Sequence, residues 1–257
     1  MIRAAADHDV TSGASAADVS SAHWTALAAR RVFFGHQSVG ADIIAGMSAI
    51  GSARPEIALR IVEAAMSEIP ASPGIYHARI GSNRDPASKA AAFAAAVEAA
   101  RPDIALFKYC YVDVGTDTDA ESLFEAYRRT MSALRTRVPA TLFCHVTVPL
   151  TMQETWKGVL RARLGRRATQ GDANMVRARY NRLLLDAFAG KEPVFDLARL
   201  ESTRPDGSRV FFRRNGAHVY GLDPAYTPDG GHLNDAGRQR VAAEFLAFLA
   251  GVARSHA

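Results

Sequence analysis

Asp229 and His232 stand three positions apart in the run TPDGGHLNDAG, with two glycines between them. A turn of that length can set the carboxylate against Nδ1 of the imidazole, which leaves Nε2 free to accept a proton. The natural donor is a hydroxyl, and Ser38 in GHQSVG, far away in the sequence, is the candidate. A serine hydroxyl is a weak nucleophile at neutral pH until a neighbouring base takes its proton during attack. Ser38 also opens a segment of helical period. The backbone N–H groups of Ser38, Val39 and Gly40 would then lie at the positive helix end, where they can stabilise charge developing on a carbonyl oxygen. The chemistry these residue types suggest is acyl transfer through a covalent serine intermediate. Each residue also has a plain structural use: Ser38 as a helix cap, Asp229-Gly230 as a turn, and His232 as a surface histidine before a helix capped by Asn234 or Asp235.

Short apolar runs alternate with segments of helical period, the pattern of βαβ units in a three-layer α/β/α sandwich. Five strands are expected, at 31–35, 57–62, 104–109, 141–146 and 193–195, with an irregular stretch at 67–84. Asp85 and Pro86 supply an N-cap and a first-turn proline for an alanine-rich helix ending near Ala100. Further helices are marked by stripes: Val39, Ile43, Ile44, Met47 and Ile50; then Leu123, Phe124, Tyr127, Met131 and Leu134; then Val176, Tyr180, Leu183, Leu184 and Phe188. The last carries Val241, Phe245, Phe248 and Leu249. A hairpin is expected at RVFFRRNGAHVY. Right-handed crossovers make a parallel sheet of order 2-1-3-4-5, flavodoxin-like, the economical topology, with ligands expected at the carboxyl ends of strands one and three.

With 257 residues, 48% hydrophobic and 22% charged, the chain suits a packed globule, and no composition step or repeat divides it. One domain over 1–257 is expected, its first fifteen or so residues without fixed structure. No apolar run reaches the roughly 20 residues that cross a bilayer. A soluble chain, cytoplasmic by default or exported if a signal was removed, follows as the expectation. Cys110 and Cys144 lie inside apolar segments, which predicts buried free thiols and neither a disulfide nor a zinc site. No metal or cofactor is called for. All but four of the 31 basic residues are arginine. The densest group, Arg161, Arg163, Arg166, Arg167, Arg177, Arg179 and Arg182, reads as a solvated face, and no nucleic-acid partner is expected.

In these features the chain resembles the SGNH, or GDSL-like, hydrolase superfamily over almost its whole length. The specific part is TPDGGHLNDAGRQRVAAEFL, similar to that family's final block; Asn181-Arg182-Leu183-Leu184 and Val194-Phe195-Asp196-Leu197 resemble the run toward it. The resemblance implies catalytic roles for Asp229 and His232, with Ser38 as nucleophile in a first block that reads G-H-Q-S instead of G-D-S. The third block, G-x-N-D, falls at Cys110-Tyr111-Val112-Asp113, where the oxyanion-hole asparagine is missing. Loss of one such donor typically costs about 100- to 1000-fold in turnover. Beside the Ser38 N–H, the candidates to replace it are the Gly81 N–H, Asn83 and Lys108. Lys108 is a charge at an apolar strand end that calls for a purpose or a partner, Asp113 being one. His36, Gln37, Tyr111 and Asp113 are substrate-binding candidates, whereas His145 reads as a satisfied histidine. Tyr76, Tyr109 and Tyr226 read as core or rim packing.

The leading expectation is therefore a serine esterase acting on a small-molecule or glycan O-acyl ester, such as an O-acetyl sugar. An O-acyltransferase of the same fold and a non-catalytic carbohydrate-binding relative are the alternatives. An anion binder using the arginines at 161–182 is a third, with affinity that falls steeply in salt.

Overall fold

The computed structural model describes residues 19–66, 68–153, 170–214 and 216–256. In chain order they form α1 (Ser21–Ala28), β1 (Arg31–His36), α2 (Val39–Ala53), β2 (Ile61–Glu63), β3 (Gly74–Arg79), α3 (Pro86–Ala100), β4 (Ile104–Phe107) and α4 (Ala120–Arg137). There follow β5 (Leu142–Phe143), β6 (His145–Val146), α5 (Gln170–Phe188), β7 (Val194–Phe195), α6 (Leu197–Ser202), the hairpin β8 (Phe211–Arg214) and β9 (Ala217–Tyr220), and α7 (Asp235–Ser255). The expected unstructured N-terminus and Arg161, Arg163, Arg166 and Arg167 lie outside the described residues. Among the described residues no helix is long and apolar enough to cross a membrane.

The central sheet is parallel, in the order β2-β3-β1-β4-β5. Cys144 separates β5 from β6, yet its N–H donates to Ala105 O while His145 N–H donates to Pro193 O. The run 142–146 therefore holds one place in the sheet, and β7, parallel to β6, adds the sixth. The five-strand expectation is corrected at one point. β3 lies inside the stretch read as irregular and takes the place beside β1, while the expected second strand shortens to β2 at the edge. The reason is chemical: GIYHAR carries Tyr76 and His77 where an apolar run would have announced a strand, although its first five residues are buried.

Alternation along the strands divides the core in two. Val32, Phe34, Ile104 and Leu106 face α2 and α7 through Ile43, Met47, Phe245 and Leu249. Phe33, Ala105 and Phe107 face the other way, onto Phe93 of α3, Tyr127 and Met131 of α4, and Tyr180 and Leu184 of α5. Each fully buried side chain of this size contributes roughly 1.5–3 kcal/mol relative to exposure. The helices start as the sequence predicts: Asp85 accepts the Ser88 N–H at 3.0 Å, Pro86 opens α3, and Asn234 caps α7 by accepting the Gly237 N–H at 3.0 Å. Cys110 and Cys144 are both buried and free. The carboxyl ends of β1, β3 and β4 meet at one edge, and there the conspicuous polar residues gather.

Candidate active site

The chain leaves β1 at His36 and turns into α2 through Ser38, whose φ of 50° and ψ of −114° are a strained conformation for an L residue. Such a backbone costs on the order of 1–3 kcal/mol and persists only where its surroundings over-determine it. Here Gly40 N–H donates to Gln37 O at 2.9 Å and Ala41 N–H to Ser38 O at 2.7 Å. The turn packs so closely that a Cβ on Gly40 would lie 2.3 Å from His36 Cβ. Although Ser38 holds the N-cap position of α2, its side chain makes no capping bond. Its Oγ lies 2.7 Å from Nε2 of His232 instead.

The 229–232 turn is built by the Asp229 carboxylate. Oδ1 accepts the N–H groups of Gly231 (2.9 Å) and His232 (2.8 Å), and Oδ2 lies 2.7 Å from His232 Nδ1. The imidazole bond and these backbone donors hold the Asp229 carboxyl far below the usual carboxylate range, so it stays ionised. With Nδ1 donating to that charge, the neutral ring presents Nε2 as an acceptor to the serine. Tyr111 closes one side: its ring meets the His232 ring edge-on at 5.9 Å, and a Cβ on Gly231 would come within 2.8 Å of its hydroxyl. Burial, then the Asp229 charge, raise the Tyr111 phenol, offset in part by its interaction with Ser38.

Among the described residues no backbone acceptor takes the N–H of Ser38 or of Gly81. Gln37 brings the two segments together, its Nε2 donating to Ile80 O (3.2 Å) and Gly81 O (2.9 Å). Gly81 has φ of +54°, and a Cβ there would sit 2.5 Å from the Lys89 backbone nitrogen, so only glycine fits. Asn83 is engaged at its oxygen, which accepts from Lys89 Nζ at 3.0 Å. Asp113, one of the partners open to Lys108, is bound elsewhere. Asp113 forms a fully buried ion pair with Lys89 at 2.5 Å and also accepts the N–H groups of Arg84 (2.7 Å) and Cys110 (2.6 Å). Lys108 Nζ lies beneath the serine turn, 3.2 Å from Gln37 O and 3.6 Å from Cys110 Sγ.

One substrate-binding candidate is corrected as well, and a second is partly engaged. His36 is 1% exposed, with Nε2 3.0 Å from His77 Nδ1, and burial pushes its imidazole down to about 3, so it is a neutral packing group behind the turn. The Gln37 side-chain nitrogen is occupied by the two loop carbonyls. Tyr111 and Asp113 border a cavity of about 410 Å³ with Arg84, Thr116, Asp117 and Arg177; its lining includes none of Ser38, Asp229 and His232, and the Asp113 carboxylate is fully buried against Lys89. Arg177 is not part of a solvated face. It is 3% exposed and donates to Tyr111 O, Val114 O, Thr151 Oγ1 and Asn174 Oδ1, so it fastens the cavity wall. Arg179 and Arg182 do make exposed ion pairs, with Glu121 and Asp186. His145 is satisfied by Tyr127 Oη at 2.7 Å and Glu192 at 3.0 Å. No cluster of three or more metal-ligating side chains occurs among the described residues.

Sequence reasoning missed Lys89, Asp42 and the structural part of Arg177. A signal existed for each, a charge on the inner stripe of a helix: Lys89 four residues before Phe93, Asp42 beside Ile43, and Arg177 three before Tyr180.

No family model matches the chain, and no curated protein does. Solved structures do. An acetyl esterase variant crystallised with an acetate ion is 14% identical with a TM-score of 0.51, over 88% of this chain and 98% of the other. A lipase/acylhydrolase from Enterococcus faecalis is 13% identical with a TM-score of 0.50, over 86% of this chain and 95% of the other. The three-layer architecture is the SGNH, GDSL-like hydrolase fold in a divergent form.

Proposed function

We propose that this protein is a serine esterase that cleaves a small O-acyl ester, with Ser38, His232 and Asp229 as its triad in one domain spanning the chain. The observation that carries this reading is the continuous path of 2.7 Å from Ser38 Oγ to His232 Nε2 and 2.7 Å from His232 Nδ1 to Asp229 Oδ2. Ser38 Oγ attacks the ester carbonyl as its proton passes to Nε2, and Asp229 stabilises the resulting imidazolium. The oxyanion is held by the N–H groups of Ser38 and Gly81, which have no backbone acceptor among the described residues. Collapse expels the alcohol, which takes the proton back from His232. Water, deprotonated by the same nitrogen, then releases the acid from Ser38.

Two observations support the finer choices. The cavity that adjoins the triad only through Tyr111, whose ring meets that of His232, has the polar walls Arg84, Thr116 and Asp117, which suit a polar alcohol such as a sugar better than a lipid chain. The side chains of His232 and Asp229 are about half exposed, at 43% and 53%, so water reaches the acyl-enzyme and hydrolysis is favoured over transfer. The test is hydrolysis of an aryl acetate together with labelling by a serine-directed phosphonate. Wild-type protein is expected to turn over the ester and to take up one label, lost in Ser38→Ala. Folded wild-type protein that neither hydrolyses nor labels overturns the reading.

A further inference from the structure

The Ser38 N–H belongs to the peptide unit whose other end is the Gln37 carbonyl, and that carbonyl is where a buried ammonium rests. Lys108 is 1% exposed at the end of β4, and its Nζ lies 3.2 Å from Gln37 O. Gly40 N–H, at 2.9 Å, and the Cys110 thiol, at 3.5 Å, also donate to that oxygen. No carboxylate lies within 4 Å of Nζ among the described residues: Asp113 is paired with Lys89, and the buried Glu201 feels the Lys108 charge only from farther off. An ammonium in such a place carries a large desolvation cost unless something else requires it. The cost of the Ser38 backbone conformation is borne at the same peptide unit.

We propose that Lys108 is a positioning residue for the oxyanion site, acting through the Gln37–Ser38 peptide. Its charge fixes the carbonyl end of that unit, which aims the N–H end outward at the substrate oxygen. By drawing electron density toward the carbonyl oxygen it also makes the N–H a stronger donor, since hydrogen bonds in a chain polarise one another. The residue is thereby the counterpart of the missing third-block asparagine: it adds no donor of its own and strengthens the donor already present. This inference rests on the triad reading above.

Lys108→Met removes the charge at nearly constant length, and Lys108→Arg keeps it. Both are compared with wild type on an aryl acetate and on the matching thionoester, whose sulfur is a poor acceptor and gains little from an oxyanion site. For Lys108→Met the expected result is a fall in kcat of about 10- to 100-fold, below the loss of a whole donor, with KM within about threefold. The oxoester-to-thionoester rate ratio shrinks in parallel, and Lys108→Arg recovers part of both. A merely structural role would slow the two esters alike. If the Met variant does not fold, Lys108→Gln, which keeps a donor without the charge, takes its place. Folded neutral variants with wild-type kcat, or with an unchanged oxo-to-thiono ratio, overturn the proposal. A wild-type protein without esterase activity or Ser38 labelling is a different result, and it removes the triad reading itself.

Discussion

Asp42 Oδ2 accepts the Leu233 backbone N–H at 3.1 Å, and Oδ1 holds Arg238 at 2.8 Å, so the helix that begins after Ser38 is tied to the segment that carries His232. The bond joins residues 191 positions apart. A base brought from the far end of a chain needs a fixed approach, because misplacing a catalytic group by about 1 Å can cost on the order of 100-fold in rate. Asp42→Ala is expected to lower kcat by about tenfold or more and to cost roughly 1–3 kcal/mol of stability for the buried donor left unpaired. Aryl ester kinetics beside a urea titration check both; an unchanged kcat would show that the approach is set elsewhere.

Removal of the triad members tests their interdependence. Ser38→Ala and His232→Ala are each expected to bring kcat near background, and the double variant is expected to be no worse than either, as for groups that act as one unit. Asp229→Asn keeps the shape but loses the charge and favours the wrong imidazole tautomer, for a drop of about 10³- to 10⁴-fold. Additive losses in the Ser38 and His232 cycle would contradict a shared step.

The buried Lys89–Asp113 pair predicts a stability effect at some distance from the serine. Lys89→Met leaves a fully buried carboxylate without its cation, which is expected to cost about 3–5 kcal/mol. Asp113 would still accept the Arg84 and Cys110 N–H groups. The midpoint of chemical denaturation reports the loss, and a shift worth less than about 1 kcal/mol would mean that Asp113 is stabilised by its backbone donors alone.

Glu201 gives a pH dependence of known sign. Burial pushes its carboxyl up to about 8, and Oε1 has no hydrogen-bond partner among the described residues. The folded chain therefore keeps a proton that the unfolded chain releases near 4.5. Its contribution to stability is full below that value and is lost progressively as pH rises to about 8. Glu201→Gln is expected to flatten this decline and to raise Tm at pH 7–8 relative to wild type. Parallel melting curves for the two proteins between pH 5 and 9 would exclude the assignment.

Gly40 lies in the first turn of α2, where alanine is ordinarily the better helix former. Gly40→Ala is nevertheless expected to destabilise the protein, because the new methyl would lie 2.3 Å from His36 Cβ, and the displaced turn carries Ser38 with it. Thermal melting and ester turnover should fall together; an Ala variant as stable and active as wild type would show that the turn can yield.

The long helices, most strands of the central sheet, and the candidacy of Ser38, Asp229 and His232 were legible in the sequence because they rest on local chemistry. Apolar spacing sets an element's period, Asp85-Pro86 starts a helix, and a D-x-x-H turn closes within four residues. Tertiary structure decided what depends on neighbours remote in the chain. Strand β3 gained its place beside β1 through packing on both faces, where the sequence shows only a short stretch bounded by Pro73-Gly74 and interrupted by His77. Which anion meets which buried cation was also settled there. Asp113 chose Lys89, a residue hidden in an alanine-rich helix, over the nearer Lys108, and Lys108 turned to the carbonyl behind the serine. A buried charge is stabilised by whatever the fold places within about 3 Å, and no spacing in the sequence encodes that distance.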